Sequence, residues 1–181
     1  MDVLSFEGLC LRPLEYRDAS AFAEAARESW ETVGPWLPWC HADYTEEEAL
    51  DWFAISRASR ERRSDFGFGI FSEDSGEFLG GAGLNEINVP NNFCSLGYWV
   101  RQSRQRQAIA TRCIHALTDF GFKTLGLKRI EIVVAAGNEA SAGAARKSGA
   151  LFEGVARNRL VVGGVSVDAS VFSFVPPSKY G

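Results

Sequence analysis

The sequence is poor in histidine, in positive charge and in long apolar runs, and each shortage removes a class of function. Only two histidines, His41 and His115, occur in 181 residues. With no carboxylates at ligand spacing around them, they make no metal site, and none is expected. His115 falls on the polar side of a helix with Arg112 and Asp119, where solvent is its natural surrounding. The net charge is −4, whereas a general nucleic-acid binder carries a basic face, so no nucleic-acid partner is expected. No stretch approaches the roughly 20 apolar residues of a membrane span, and no apolar run behind basic residues marks a secretory leader at the N-terminus. The four cysteines, Cys10, Cys40, Cys94 and Cys113, are scattered and form no C-x-x-C pair. They read as free thiols of a reducing compartment, which predicts a cytoplasmic protein without a membrane partner. No repeat or linker interrupts the chain. With 46% hydrophobic content, its 181 residues suffice for one core, so a single domain over 1–181 is expected.

What is present follows a readable order. Residues Val3 to Pro13 alternate as a strand that stops at Arg12-Pro13. Asp18 or Ser20 is placed to cap a helix through Phe22, Ala25, Ala26 and Trp30. Gly34-Pro35-Trp36-Leu37-Pro38-Trp39 cannot be helix interior, because two prolines remove backbone donors and clash with the preceding turn. Thr45 with Glu48 three residues on fits a capping box, opening a helix with Leu50, Phe53 and Ala54 on its apolar face. Its charged end, Arg57 to Arg63, reads as a solvated face. Asp65 to Phe71 and Glu77 to Ile87 are strands joined by a turn at Glu73-Asp74-Ser75-Gly76. After Pro90-Asn91-Asn92 a third strand runs through Leu96, Tyr98 and Val100. A helix follows from Ile109 and ends at Gly126, and then the strand RIEIVVA from Arg129 to Ala135. Asn138 caps a short helix closed by Gly149. Leu151 to Val162 and Val165 to Val175 form a last hairpin across Gly163-Gly164. The tail from Pro176 is expected to fray. The order β-α-α-β-β-β-α-β-α-β-β predicts an α/β sheet of mixed direction covered on both faces.

The stretch from Cys94 to Thr111 concentrates the chemistry. A strand there feeds a helix through the polar run Arg101 to Gln107, so several backbone N–H groups converge at a helix N-terminus that carries about half a positive charge. Arg101, Arg104 and Arg106 are expected to add full charges, which suits a phosphate-bearing ligand. A dinucleotide-binding reading is weak, since that fingerprint needs several glycines and this loop has none.

Gln105-Arg106-Gln107-Ala108-Ile109-Ala110 resembles the acetyl-CoA pyrophosphate loop, Q/R-x-x-G-x-G/A, of the GNAT N-acetyltransferase superfamily. LRPLEYRDA near the start, LGYWV, GNEAS and SGALFEG are similar to the Rim-type branch, the ribosomal-protein serine/alanine N-acetyltransferases, and the likeness covers nearly the whole chain. It implies the GNAT, or acyl-CoA N-acyltransferase, fold. That fold has a mixed, mostly antiparallel central sheet, helices on both faces, and central strands splayed to admit the pantetheine arm. It implies transfer of acetyl from acetyl-CoA, the co-substrate, to a primary amine that attacks the thioester directly in a ternary complex. A protein or peptide N-terminus is the leading acceptor. A small amine (antibiotic, polyamine or amino acid) and a CoA-binding module without turnover are the alternatives. A homodimer is left open.

The resemblance also assigns residues. Tyr98, Trp99 and Val100, then Gln105, Arg106, Gln107, Ala108, Ile109, Ala110 and Thr111, would contact the cofactor, as would Asn138 and Ser141. Backbone N–H groups near Trp99 and Val100 would hold the developing oxyanion. Relatives carry glycine where Ala108 stands; alanine costs about 1 kcal/mol if φ is positive there and little if the angles are helical. Many relatives use a tyrosine as acid, but this chain has none between Tyr98 and Tyr180, so Ser141, or a water it holds, is the expected acid for the thiolate. Glu86, near the end of a strand, is the expected base; Glu153 in FEG is the other carboxylate in view. Ser95 and Leu160 stand where Rim-type relatives carry glutamate. Trp36 and Trp39 are expected to line the acceptor pocket.

Overall fold

A computed structural model describes residues 2–176. One eight-stranded sheet organises them, in the order β1-β2-β3-β4-β5-β6-β8-β7. The strands are β1 (Leu4–Phe6), β2 (Leu9–Arg12), β3 (Phe66–Ser72), β4 (Phe78–Asn88), β5 (Phe93–Val100), β6 (Arg129–Ala135), β7 (Leu151–Val162) and β8 (Val165–Phe174). Every neighbouring pair is antiparallel except β5 with β6, which is parallel. That one parallel pair needs a crossover, which α4 (Ile109–Lys123) supplies. The other helices are α1 (Ala19–Glu28), the single turn α2 (Trp30–Val33), α3 (Glu46–Glu61) and α5 (Glu139–Lys147). None of the helices among the described residues is long and apolar enough to cross a membrane.

The alternation of each strand sorts its side chains into two cores. On one face Phe66, Phe68, Ile70, Leu84, Leu96, Ile130 and Ile132 pack with Ile109, Cys113, Ile114 and Leu117 of α4 and with Ala142 and Ala145 of α5. On the other, Phe71, Phe78 and Trp99 pack with Phe22 of α1 and Phe53 of α3. The aromatic rings around Phe22 meet at centroid distances of 5.4 to 5.9 Å.

Several local expectations need correction. The single opening strand is a hairpin: Glu7 and Gly8 adopt positive φ (45° and 80°), turning the chain between β1 and β2. Asp18 is the N-cap residue of α1 but gives that helix no side-chain hydrogen bond. Its carboxylate pairs with Arg12 at 2.7 Å and accepts the Glu15 N–H at 2.8 Å, because the chain first makes a 3-10 turn over Tyr16–Asp18. The first helix breaks at Ser29, whose hydroxyl bonds back to the Ala25 carbonyl. Thr45 and Glu48 do form the capping box of α3, but the buried residues of that helix are Ala49, Phe53 and Ser59, while Ala54 faces solvent. The charged end of α3 is only partly a solvated face: the Arg60 guanidinium lies 4.5 Å over the Phe68 ring and donates to the Gly67 carbonyl. His115 is half-buried, 3.0 Å from the Ser148 carbonyl and edge-on to Phe6. Most of the tail, 177–181, lies outside the described residues.

Candidate active site

The gap between β5 and β6 is where the sheet opens. The two strands pair only from Phe93 with Arg129 to Ser95 with Glu131. Beyond that point Leu96–Val100 and Ile132–Ala135 are unpaired with each other. The Arg101 N–H donates to the Leu79 carbonyl, so along the antiparallel pair the backbone of Trp99 also faces β4. Tyr98 and Val100 therefore turn their backbone groups into the gap. Trp99 does not join them: its backbone is committed to β4, and its buried indole lies 5.4 Å from both the Phe22 and the Trp39 ring. The gap-facing residues are thus Tyr98 and Val100, where Trp99 and Val100 were expected.

The loop after β5 is built by its backbone. Arg106 and Ala108 both take left-handed conformations, with φ of 62° and 57°. Ala108 is not helical; it is the residue before the first turn of α4, in a conformation that disfavours a Cβ. The first helical bond is Arg112 N–H to the Ala108 carbonyl, so the N–H groups of Ile109, Ala110 and Thr111 have no helical partner. No side chain caps this terminus. Uncapped donors at the positive end of a 15-residue helix, with the exposed Arg106 beside them, suit the pyrophosphate of CoA. Gln107 offers its carbonyl to Arg112 at 3.3 Å, and the Gln105 amide bonds to the Val100 carbonyl and the Thr32 hydroxyl, each at 3.1 Å.

The other two arginines are engaged by carboxylates of the protein itself. Arg101 is buried and pairs with Glu24 at 2.8 Å and Glu28 at 2.5 Å; Arg104 holds Glu77 at 2.7 Å. Glu28 also accepts the Ser103 N–H at 2.6 Å, and the Ser29 hydroxyl accepts the Gln102 N–H at 2.9 Å. These charges fasten the loop to the end of α1. Burial alone would raise the Glu28 pKa, but the bonds from Arg101 and Ser103 outweigh it and hold the carboxyl at about 2.

Across the gap, the Asn138 side chain caps α5 by accepting the Ser141 N–H at 3.1 Å. Ser141 is met by a residue 43 positions earlier. Its hydroxyl donates to the Tyr98 hydroxyl at 3.1 Å, and Tyr98 donates to the Ser141 carbonyl at 2.8 Å. Burial pushes the Tyr98 phenol up to about 12 against the opposing bond from Ser141, so it stays protonated near neutral pH. A tyrosine does stand beside Ser141, supplied by the sheet as Tyr98. The only signal was alternation, which puts it on the same sheet face as Leu96 and hence on the side of α5.

The expected carboxylates fare differently. Glu86 sits at a bulge with φ of 54°, exposed, its N–H held by Asp65; the structure does not bring it together with Ser141. Its partner position is lost because the register slips between Asn85 and Asn88. Glu153 is tied at both oxygens to Arg129, and with that bond and one from Ser173 its pKa falls to about 2. A carboxylate held that low is a poor base near neutral pH. Cys40, Cys94 and Cys113 are buried thiols whose pKa burial raises, for Cys94 to about 12, so none is an available nucleophile. The two tryptophans separate. Trp39 packs on Phe22, Tyr44 and Trp99, while the Trp36 ring reaches across to the turn before α5, 3.6 Å from where a Cβ on Gly137 would stand.

A parted sheet, a donor-rich loop at the mouth of the gap and a hydroxyl pair beside it would admit an extended, phosphate-bearing thioester. Residues 8–151 match the acetyltransferase (GNAT) domain, and the chain belongs to that family. It is an acetyl-CoA-dependent N-acetyltransferase. Among relatives, the N-acetyltransferase YdaF of Bacillus subtilis is 28% identical over 174 residues, spanning 93% of this chain and 92% of that protein. The ribosomal-protein-serine acetyltransferase of Escherichia coli is 27% identical over 112 residues, 62% of each chain. RimJ of Mycobacterium smegmatis, solved with a CoA disulfide, superposes with a TM-score of 0.87 at 24% identity, covering 99% of this chain and 88% of that one.

Proposed function

We propose that the acceptor is the N-terminal amine of a protein, acetylated in the cytoplasm. The donor enters by the gap between β5 and β6, closed at one end by Ser95 and Glu131 and flanked at the other by the loop before α4. The observation that carries the acceptor is the likeness to relatives named for acetylating ribosomal proteins. An extended arm fits between two parallel strand segments that offer it backbone groups, and the acceptor meets it at the closed end. The name of the Escherichia coli relative, a ribosomal-protein-serine acetyltransferase, supports a protein amine.

The chain's own groups divide the work. The backbone N–H groups that Tyr98 and Val100 turn into the gap polarise the thioester carbonyl. In other enzymes, one such donor is worth about 3–4 kcal/mol of barrier. The amine nitrogen forms a bond to the carbonyl carbon, and the carbon–sulfur bond breaks. The Ser141–Tyr98 hydroxyl pair gives the departing thiolate its proton, through Ser141, and solvent replaces it. The N–H groups of Ile109, Ala110 and Thr111, with Arg106, hold the pyrophosphate.

The experiment is mass spectrometry of products from acetyl-CoA with serine- and alanine-initiated peptides, spermidine, an aminoglycoside and free amino acids. Peptide products with acetyl on the α-amine are expected to dominate, and Ser141→Ala to lower kcat by about 10²-fold or more at unchanged acetyl-CoA affinity. Products confined to spermidine or the aminoglycoside would overturn the acceptor reading, and an unchanged kcat removes Ser141 from proton transfer.

A further inference from the structure

The reaction needs a group to take the proton of the attacking amine, and neither Glu86 nor Glu153 is placed for it. A row of polar residues crosses the sheet where β5 and β6 part. Asn85 of β4 is registered with Ser95 of β5, and Ser95 with Glu131 of β6. Registered neighbours share a face. The face is fixed by Asn85: its carboxamide lies 3.0 and 3.2 Å from where Cβ atoms on Gly83 and Gly97 would project. It is therefore the face of α1 and α3, opposite Leu96, Tyr98 and Ser141. On this face Gly97 is the first residue of the splayed part of β5, and a Cβ there would meet nothing but the Asn85 amide. The space above Gly97 thus holds only the Asn85 carboxamide, with Ser95 and Glu131 next to it in register.

Glu131 is the carboxylate of this row. Its Oε1 accepts the Arg129 Nε at 2.7 Å, and among the described residues its other oxygen has no hydrogen-bonding partner. Arg129 is meanwhile shared with Glu153, which takes its two terminal nitrogens. We propose that Asn85, Ser95 and Glu131 form the amine-receiving site and that Glu131 is the base of acetyl transfer, a role that rests on the reading above. The nitrogen–carbon bond forms on the α1 side of the gap, the amine proton passes to the free oxygen of Glu131, and the thiolate leaves toward Ser141 on the other side. Asn85 and Ser95 accept and donate the remaining hydrogen bonds of the acceptor's first residue.

The test uses the full chain and an alanine-initiated peptide. Glu131→Gln keeps the shape and an oxygen for Arg129; kcat/KM for the peptide is expected to fall about 10²-fold or more, with acetyl-CoA binding by calorimetry unchanged. Adding Ser95→Glu to that variant returns a carboxylate to the facing position on β5 and is expected to restore at least tenfold of the loss. Glu131→Asp, which keeps the charge and the Arg129 bond but withdraws the carboxylate by one carbon, is the second variant if Glu131→Gln does not fold. Its kcat/KM should drop at least tenfold. A wild-type protein that acetylates the peptide while Glu131→Gln, or Glu131→Asp in its place, is equally active overturns this assignment alone. A wild type that acetylates no amine overturns the acetyl-transfer reading and this assignment with it.

Discussion

Single residues decide how this site differs from the pattern it resembles, and Ala108 is the sharpest instance. Its φ of 57° is one that alanine adopts at a cost of about 1 kcal/mol, and its exposed methyl stands at the pyrophosphate loop. Ala108→Gly relieves that strain in the folded state and raises the entropy of the unfolded chain by a similar amount. The melting temperature should therefore move little, while the loss of the methyl lets the phosphate approach the backbone. Acetyl-CoA affinity, measured by calorimetry, is expected to rise; an unchanged or weaker affinity means that the methyl does not face the ligand. The loop and the cap at Asn138 were legible in the sequence because both are local: a polar run between two periodicities, and an asparagine ahead of a short helix. The Tyr98–Ser141 contact and the Asn85–Ser95–Glu131 row were not. They depend on which strand lies beside which, and a register shift of one residue would have turned each side chain to the other face.

At the scale of elements, α1 and the pyrophosphate loop act as one unit. Arg101 and Arg104 looked like phosphate ligands because sequence spacing places them beside the helix start. The fold brings Glu24, Glu28 and Glu77 against them from α1 and the approach to β4. The opening hairpin was missed for a similar reason: one apolar alternation covered both strands, and only the Glu7-Gly8 turn divides them. If Glu28 fixes the loop, Glu28→Gln should weaken acetyl-CoA binding through looser geometry, since Glu28 itself is spent on protein donors. A severalfold rise in KM for acetyl-CoA is expected, with a stability loss on the order of 1–3 kcal/mol from weakened bonds to a buried guanidinium. The pH sign follows from a folded pKa depressed from 4.5 to about 2. The stabilisation is complete above about pH 4.5 and is lost as pH falls toward 2, so the variant and the wild type should converge in melting temperature across that acidic range.

The whole molecule places its two cores on opposite faces of one sheet and its chemistry at the line where the sheet opens between them. The sequence order of strands and helices implied that layering, with the glycine-poor loop as its most informative landmark. The Gly34–Trp39 segment is where the α1 face closes over the gap, and its two tryptophans test how the molecule divides packing from recognition. Trp39 meets three rings of the second core, Phe22, Tyr44 and Trp99, at centroid distances of 5.4 to 5.9 Å. It still leaves 37% of its surface exposed. Truncating a fully buried tryptophan costs about 3–5 kcal/mol, so Trp39→Ala should fall at or just below the lower end of that range. Trp36 is half-buried and spans from this segment to Gly137, beside the turn that leads into Asn138 and Ser141. A ring in that position walls the space over the gap more than it fills a core. Trp36→Ala is therefore expected to raise KM for the acceptor amine while KM for acetyl-CoA and the melting temperature shift little. Trp39→Ala should do the reverse, melting early with a near-normal amine KM when assayed well below its transition. Thermal melts and the two KM values for each variant separate these outcomes. If Trp36→Ala melts early and keeps its amine KM, the segment is packing throughout, and the acceptor must rest on Gly83, Gly97 and the polar row beside them.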